Sequence, residues 1–173
     1  MRQRGPGYAP DRLRRARYTR AMRIAVASDH AGYALKTEIV GHLVAAGHEV
    51  ADLGTDSAEV SVDYPVYGRA VGEAVAEGRA DSGVCVCGTG MGIGIAANKV
   101  PGVRAAVVHD VTTARLARRH NDANVVCVGE RTTGRATALD ALDAFFATAF
   151  DGGGRHQRRI DQITDQEREP ATP

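Results

Sequence analysis

The chain has 173 residues, 43% of them hydrophobic and 25% charged, with a net charge of +1. That composition reads as one soluble globular domain with a sizeable core, and no apolar run approaches the roughly 18 residues that span a membrane. The charge is uneven: residues 1–21 carry seven arginines against one aspartate, +6, leaving −5 on the rest, which argues against nucleic acid as a partner.

Residues 1–21 have neither the apolar stretch of a secretory signal nor the serines of a transit peptide, and read as a disordered basic extension. RIAVAS (23–28) predicts a first strand ending at Asp29-His30. Over 33–47, Leu35, Ile39, Leu43 and Ala46 recur at helical spacing and Gly47 closes the helix. HEVADLG (48–54) predicts a second strand. Asp63-Tyr64-Pro65 opens a helix to about Gly78 with Val66, Ala70, Ala74 and Val75 as its stripe. SGVCVCG (82–88) is a third strand, followed by a glycine-rich turn that enters a helix. VRAAVVHD (103–110) predicts strand four, 112–121 a helix, 124–129 strand five, 133–150 a helix and about 156–168 a polar helix before a frayed tail.

Near-continuous apolar strands alternating with amphipathic helices predict a single doubly wound, Rossmann-like α/β domain over 22–150: a five-stranded parallel sheet with helices on both faces. Residues 151–173 follow as an arm. Cys85, Cys87 and Cys127 all lie in strand-like runs, an odd count that suits reduced thiols and a cytoplasmic location.

In such sheets ligands bind beyond the carboxyl ends of the strands. The candidates are therefore Asp29 and His30, Cys87 to Gly92, His109 and Asp110, and Glu130 and Arg131. The strongest signal is Cys87-Gly88-Thr89-Gly90-Met91-Gly92, where closely spaced glycines let amides turn toward an anion at a helix start. Cysteines at helix N-termini ionise more readily than a free thiol, which makes Cys87 a candidate base or nucleophile. Other readings fail. A dinucleotide fingerprint counted from Gly88 meets Ile93 at its third glycine, and no Gly-Lys-Ser/Thr is present. A cysteine phosphatase loop would need an arginine where Ile93 or Met91 stands, and the three cysteines lack zinc-ligand spacing.

ASDHAGYALK (27–36), DYP (63–65), CGTGMGIGIAANK (87–99), RHNDANV (119–125), GER (129–131) and GGRHQRRI (153–160) resemble, in that order, ribose-5-phosphate isomerase type B and its galactose-6-phosphate isomerase relatives. The resemblance implies an aldose–ketose isomerase of the pentose phosphate pathway that needs no metal or other cofactor and works through an enediolate. It implies Cys87 as the base, and Thr89 and His120 as assistants in ring opening and proton transfer. Gly88, Gly90, Met91 and Gly92 would hold the enediolate through their amides. Asp29, His30 and Asn121 would contact the sugar, and Arg131, Arg155 and Arg159 would bind substrate, the last two mainly at its phosphate. Some relatives replace the cysteine with a glutamate just after the glycine loop; here that position is Ile93, which favours the cysteine route. Alternatives are another phosphorylated substrate, a hexose 6-phosphate or a tetrose phosphate, and a module that binds a sugar phosphate without turning it over.

His120 and Asn121 close a helix that returns to the start of strand five, at the opposite end of the sheet from Cys87. A catalytic His120 therefore requires a neighbouring subunit, and the expected assembly is a homodimer with shared active sites. The resemblance implies a sugar phosphate as the partner small molecule, and neither nucleic acid nor membrane is expected as a partner. Cys85 and Cys127 are expected in the core, and His109 in a structural role. His42, His48, Arg118, Arg119 and Arg158 are expected in solvent, and Glu130 is expected to orient Arg131.

Overall fold

The computed structural model describes residues 21–168. The basic extension therefore falls, apart from Ala21, outside the described residues, as does the tail beyond Arg168. Five strands form one parallel sheet: β1 (Arg23–Ser28), β2 (Glu49–Asp52), β3 (Ser82–Cys87), β4 (Ala105–Val107) and β5 (Val125–Gly129), in the order β2-β1-β3-β5-β4. The helices are α1 (Tyr33–Ala45), α2 (Tyr64–Ala76), α3 (Met91–Ala97), α4 (Val111–Asn121), α5 (Arg135–Ala147) and α6 (Gly154–Arg168). The doubly wound expectation holds.

Because successive strand residues face opposite ways, each apolar strand feeds two cores. Ile24, Val26, Val84, Val86, Val126 and Val128 face α1, α4 and α5, closing on Leu43, Leu142 and Phe145. Ala25, Ala27, Cys85, Cys87, Val125 and Cys127 face α2 and α3, around Val71 and Ile93. The second layer is thin because its residues are small. Added Cβ atoms on Gly68 and Gly72 of α2 would come within 2.4 Å of the Ile93 carbonyl oxygen and 2.9 Å of Val100, so α2 and α3 meet almost backbone to backbone.

The local signals explain the boundaries. Pro65 opens α2. Asp110 accepts from the Thr113 amide at 2.7 Å in a capping box that starts α4, and this bond draws its carboxyl below the usual range. Gly47, at φ +93°, ends the turn after α1.

Three expectations need correction. The buried face of α2 is Gly68, Val71, Gly72 and Ala74, whereas Val66 is 67% exposed; glycines that pack by absence leave no apolar signal. Arg118 is not merely solvated: it donates to Asp122 and to the Ala123 carbonyl and lies over the Phe145 ring. His42 and His48 are not solvated either. His42 meets Asp143 at 2.6 Å, and His48 is buried, accepting from the Met22 amide at 3.2 Å beside Phe146.

Burial above all holds the His48 imidazole below its ordinary value, with Asp143 opposing it and neighbouring His42 adding a smaller push in the same direction as burial. An unfolded histidine titrates near about 6.5, so below that pH the unfolded chain takes up a proton that the fold resists. The stability is complete above that pH and is lost as pH falls toward the folded value. His48→Asn keeps an acceptor for Met22 without a titrating ring. Between pH 7.5 and 5, wild type should lose more thermal stability than this variant; equal losses in parallel melts would refute the assignment.

Candidate active site

Strand order reverses between β1 and β3, since the chain leaves β1 for β2 on one side and returns to β3 on the other. Ligands in such sheets bind outside that switch point, and of the sequence-predicted residues Asp29, His30, Cys87 to Gly92 and Arg131 lie there. Asp29 follows β1; its amide donates to the Val86 carbonyl at 3.3 Å, and its buried carboxylate accepts from the Gly32 amide at 3.1 Å. His30 Nδ1 accepts from the Val62 amide at 3.2 Å, which fixes the tautomer that carries its proton on Nε2.

Cys87 ends β3, 4% exposed, and the Gly90 amide donates to its sulfur at 3.1 Å. Gly90 sits at φ +77°, and a Cβ there would meet the Val128 backbone at 2.9 Å. The loop is thereby held against the end of β5 in a conformation that only glycine adopts easily. Thr89 is exposed and its hydroxyl accepts from the Met91 amide at 3.3 Å. The Arg131 amide donates to the Gly88 carbonyl at 2.9 Å, and the Arg131 side chain runs past Gly88. Cys85 and Cys127 lie deeper in the same layer, both fully buried. The Cys85 thiol is pushed well up by its hydrogen bond to Cys127 and then by complete burial, so it stays protonated inside the core.

Tyr64 belongs to this half of the site and was overlooked. Its ring covers Gly92, where an added Cβ would lie 2.6 Å from the Tyr64 Cζ. The signal was present in Asp63-Tyr64-Pro65, read as a helix start and as one of the motifs of the resemblance, with no site role given to the tyrosine. Glu130 does not orient Arg131; it accepts from the Leu35 amide at 3.0 Å and caps α1. His109 and Asp110 follow β4, the outermost strand beyond β5, and they serve the start of α4 rather than the switch point.

The remaining predicted residues form a second cluster elsewhere. His120 and Asn121 close α4, just before Val125, whose partner in β3 is Gly83 at the start of that strand; Cys87 pairs with Gly129 at the other end. The turn after α4 is braced. Asp122 adopts φ +45° and receives Arg104 and Arg118 at 2.8 Å each, while Arg104 also donates to the Asn121 carbonyl. Arg155 and Arg159 lie in the opening turns of α6 with His156, whose ring stacks on His120. Gly83 and Cys87 are four steps apart along β3, about 13 Å. Within one chain the two clusters stay apart.

The first cluster offers a sulfur, a ring of amides, a carboxylate, an imidazole N–H and a guanidinium. That set suits removal of a proton next to a carbonyl, with the resulting oxyanion held by the amides.

The model of the Ribose/Galactose Isomerase family matches residues 24–163. The chain is 49% identical over 142 residues to ribose-5-phosphate isomerase B of Escherichia coli K12, covering 82% of this chain and 94% of that one. A solved ribose-5-phosphate isomerase B from Clostridium thermocellum superposes with a TM-score of 0.83 at 50% identity, covering 85% of this chain and 98% of that one. The enzyme of the same name from Mycoplasma genitalium, solved with bound ribulose 5-phosphate, gives 0.82 at 42% identity, covering 86% of this chain and 97% of that one. With the match spanning the whole sheet and both residue clusters, the chain belongs to the Ribose/Galactose Isomerase family.

Proposed function

We propose that this chain is a cytoplasmic aldose–ketose isomerase that interconverts ribose 5-phosphate and ribulose 5-phosphate, working as a homodimer with two shared active sites. The observation that carries the chemistry is Cys87 at the mouth of the amide loop, between Asp29-His30 and Arg131. The substrate follows from the relatives, one of which is solved with ribulose 5-phosphate bound.

The Cys87 thiolate takes the proton from C2 of the open-chain aldose, and the electron pair moves through C1=C2 onto the carbonyl oxygen. The amides of residues 88–92 hold that oxyanion, each such donor contributing about 10²–10³-fold in rate. The thiol then returns the proton to C1 while the C2 hydroxyl passes its own to the C1 oxyanion, which leaves the thiolate regenerated and the ketose with no net change in protons. His120 and Thr89 open the sugar ring and move protons among the oxygens. Asp29, His30 and Asn121 hold the hydroxyls. Arg131, Arg155 and Arg159 bind substrate, the last two gripping the phosphate through paired N–H groups.

Two observations support the shared site. His120, Asn121, Arg155 and Arg159 lie at the strand starts, away from Cys87. On the α2/α3 side, Val60, Tyr64, Val66, Met91 and Ile95 are between 41% and 67% exposed, an apolar surface beside the glycine loop that suits a second copy. The cytoplasmic placement rests on three cysteines that are all free; no helix among the described residues is long and apolar enough to cross a membrane.

Turnover measured on ribose 5-phosphate beside hexose 6-phosphates and tetrose phosphates tests the reading. The pentose phosphate should be preferred, and full activity should survive exhaustive chelation. Preference for another sugar phosphate would replace the substrate. Loss on chelation with recovery on one added metal would overturn the mechanism.

A further inference from the structure

The opening turn of α6 folds back over the last turn of α4. The Asp151 amide donates to the Arg119 carbonyl at 3.0 Å, and Gly153 and Gly154, at φ +112° and +57°, reverse the chain. His156 thereby stacks on His120 with ring centroids 4.3 Å apart and planes 7° apart. One donor atom from each of His120, Asp151 and His156 lies within 4.8 Å of the others. The isomerase mechanism uses His120 but neither Asp151 nor His156.

We propose that His120, Asp151 and His156 form a binding site for a divalent cation of the zinc class (Zn2+, Co2+ or Ni2+), and that its occupancy withdraws His120 from the reaction. The second half of the proposal rests on the role given to His120 above.

Two imidazoles and one carboxylate favour borderline cations over Mg2+ or Ca2+, which prefer oxygen alone. Bonds of about 2.0–2.2 Å to nitrogen and oxygen at tetrahedral angles hold donors about 3.3–3.6 Å apart. The cluster therefore closes when the donors draw in by up to about 1.5 Å and the two rings turn out of their stack so that both nitrogen lone pairs meet the ion, leaving a fourth position open. Part of the ordering is already done, because the Asp151 backbone is tied to α4 and the two rings lie side by side. A ligating imidazole must be neutral. Arg155 and Arg159, on the same opening turns of α6, repel a cation, which selects for strong imidazole bonding over simple charge attraction. The Arg155 Nε contact to His156 Nε2, at 3.5 Å, is at the outer limit of a hydrogen bond and easily displaced.

Cobalt titration of the full chain, followed by absorption and calorimetry, reads the site directly. One Co2+ per chain is expected, with no thiolate-to-cobalt charge-transfer band. Asp151→Asn and His156→Gln should each weaken binding by at least about tenfold, and Cys87→Ser should leave it unchanged. Zn2+ or Co2+ should inhibit the wild-type isomerase reversibly on chelation. Both ligand variants should turn over substrate without metal and resist that inhibition. Unchanged binding in both variants, or a thiolate band that vanishes in Cys87→Ser, would overturn the site. Binding that both variants lose, in an enzyme whose turnover the metal leaves untouched, would keep the site and overturn the inhibition together with the catalytic role of His120.

Discussion

Cys87→Ala should lower turnover on ribose 5-phosphate by about 10²–10⁴-fold while leaving substrate affinity within a few-fold. The sulfur is the candidate proton acceptor on a loop otherwise built from glycines, Thr89 and Met91, and the Gly90 amide already points at it. Alanine keeps the Cβ and the strand, so the amides and Arg131 remain to bind substrate. The loss should appear in kcat rather than KM, and exchange of the C2 proton with deuterated solvent should fall in step. Cys85→Ala is the matched control, because that thiol is fully buried against Cys127 and held protonated. A Cys87→Ala enzyme with more than about a tenth of wild-type turnover would exclude the thiolate as the base.

Mixing two inactive variants, Cys87→Ala and His120→Ala, should restore activity as subunits exchange. Each proposed site draws Cys87 from one chain and His120 from the other. In a heterodimer one site receives both substitutions and the second receives neither. Recovery per heterodimer should therefore approach half of the wild-type value, from parents that are nearly inert. The expectation rests on the separation of Gly83 and Cys87 along β3, which places His120 at one edge of the sheet and the sulfur at the other. Tagged chains purified in tandem would isolate the heterodimer. If that species is as inactive as its parents, His120 does not complete a partner's site.

The sheet was legible because each strand is a short apolar run, and the first cluster because strand ends collect ligand-binding residues. The split between Cys87 and His120 was also legible, since a helix following a parallel strand must return to the starting edge. What escaped reading depends on contacts distant in the sequence. Glu130 caps a helix 95 residues earlier, and His48 is buried by Met22 and Phe146. The face of α2 was misjudged because Gly68 and Gly72 pack through their lack of a side chain. Tyr64 has a recognisable motif, but only the fold brings its ring over Gly92. The roles of Arg155 and Arg159 came from family likeness, and the structure adds their position beside His120.

The sheet ends in its two shortest strands, four residues in β2 and three in β4. Margins so brief present few unpaired amides and carbonyls, so neighbouring molecules find little template for continuing the sheet. Self-association through the sheet is thereby steered away from ribbon-like growth, which has no natural stopping point. The truncated borders thus work against an open-ended polymer of newly made chains.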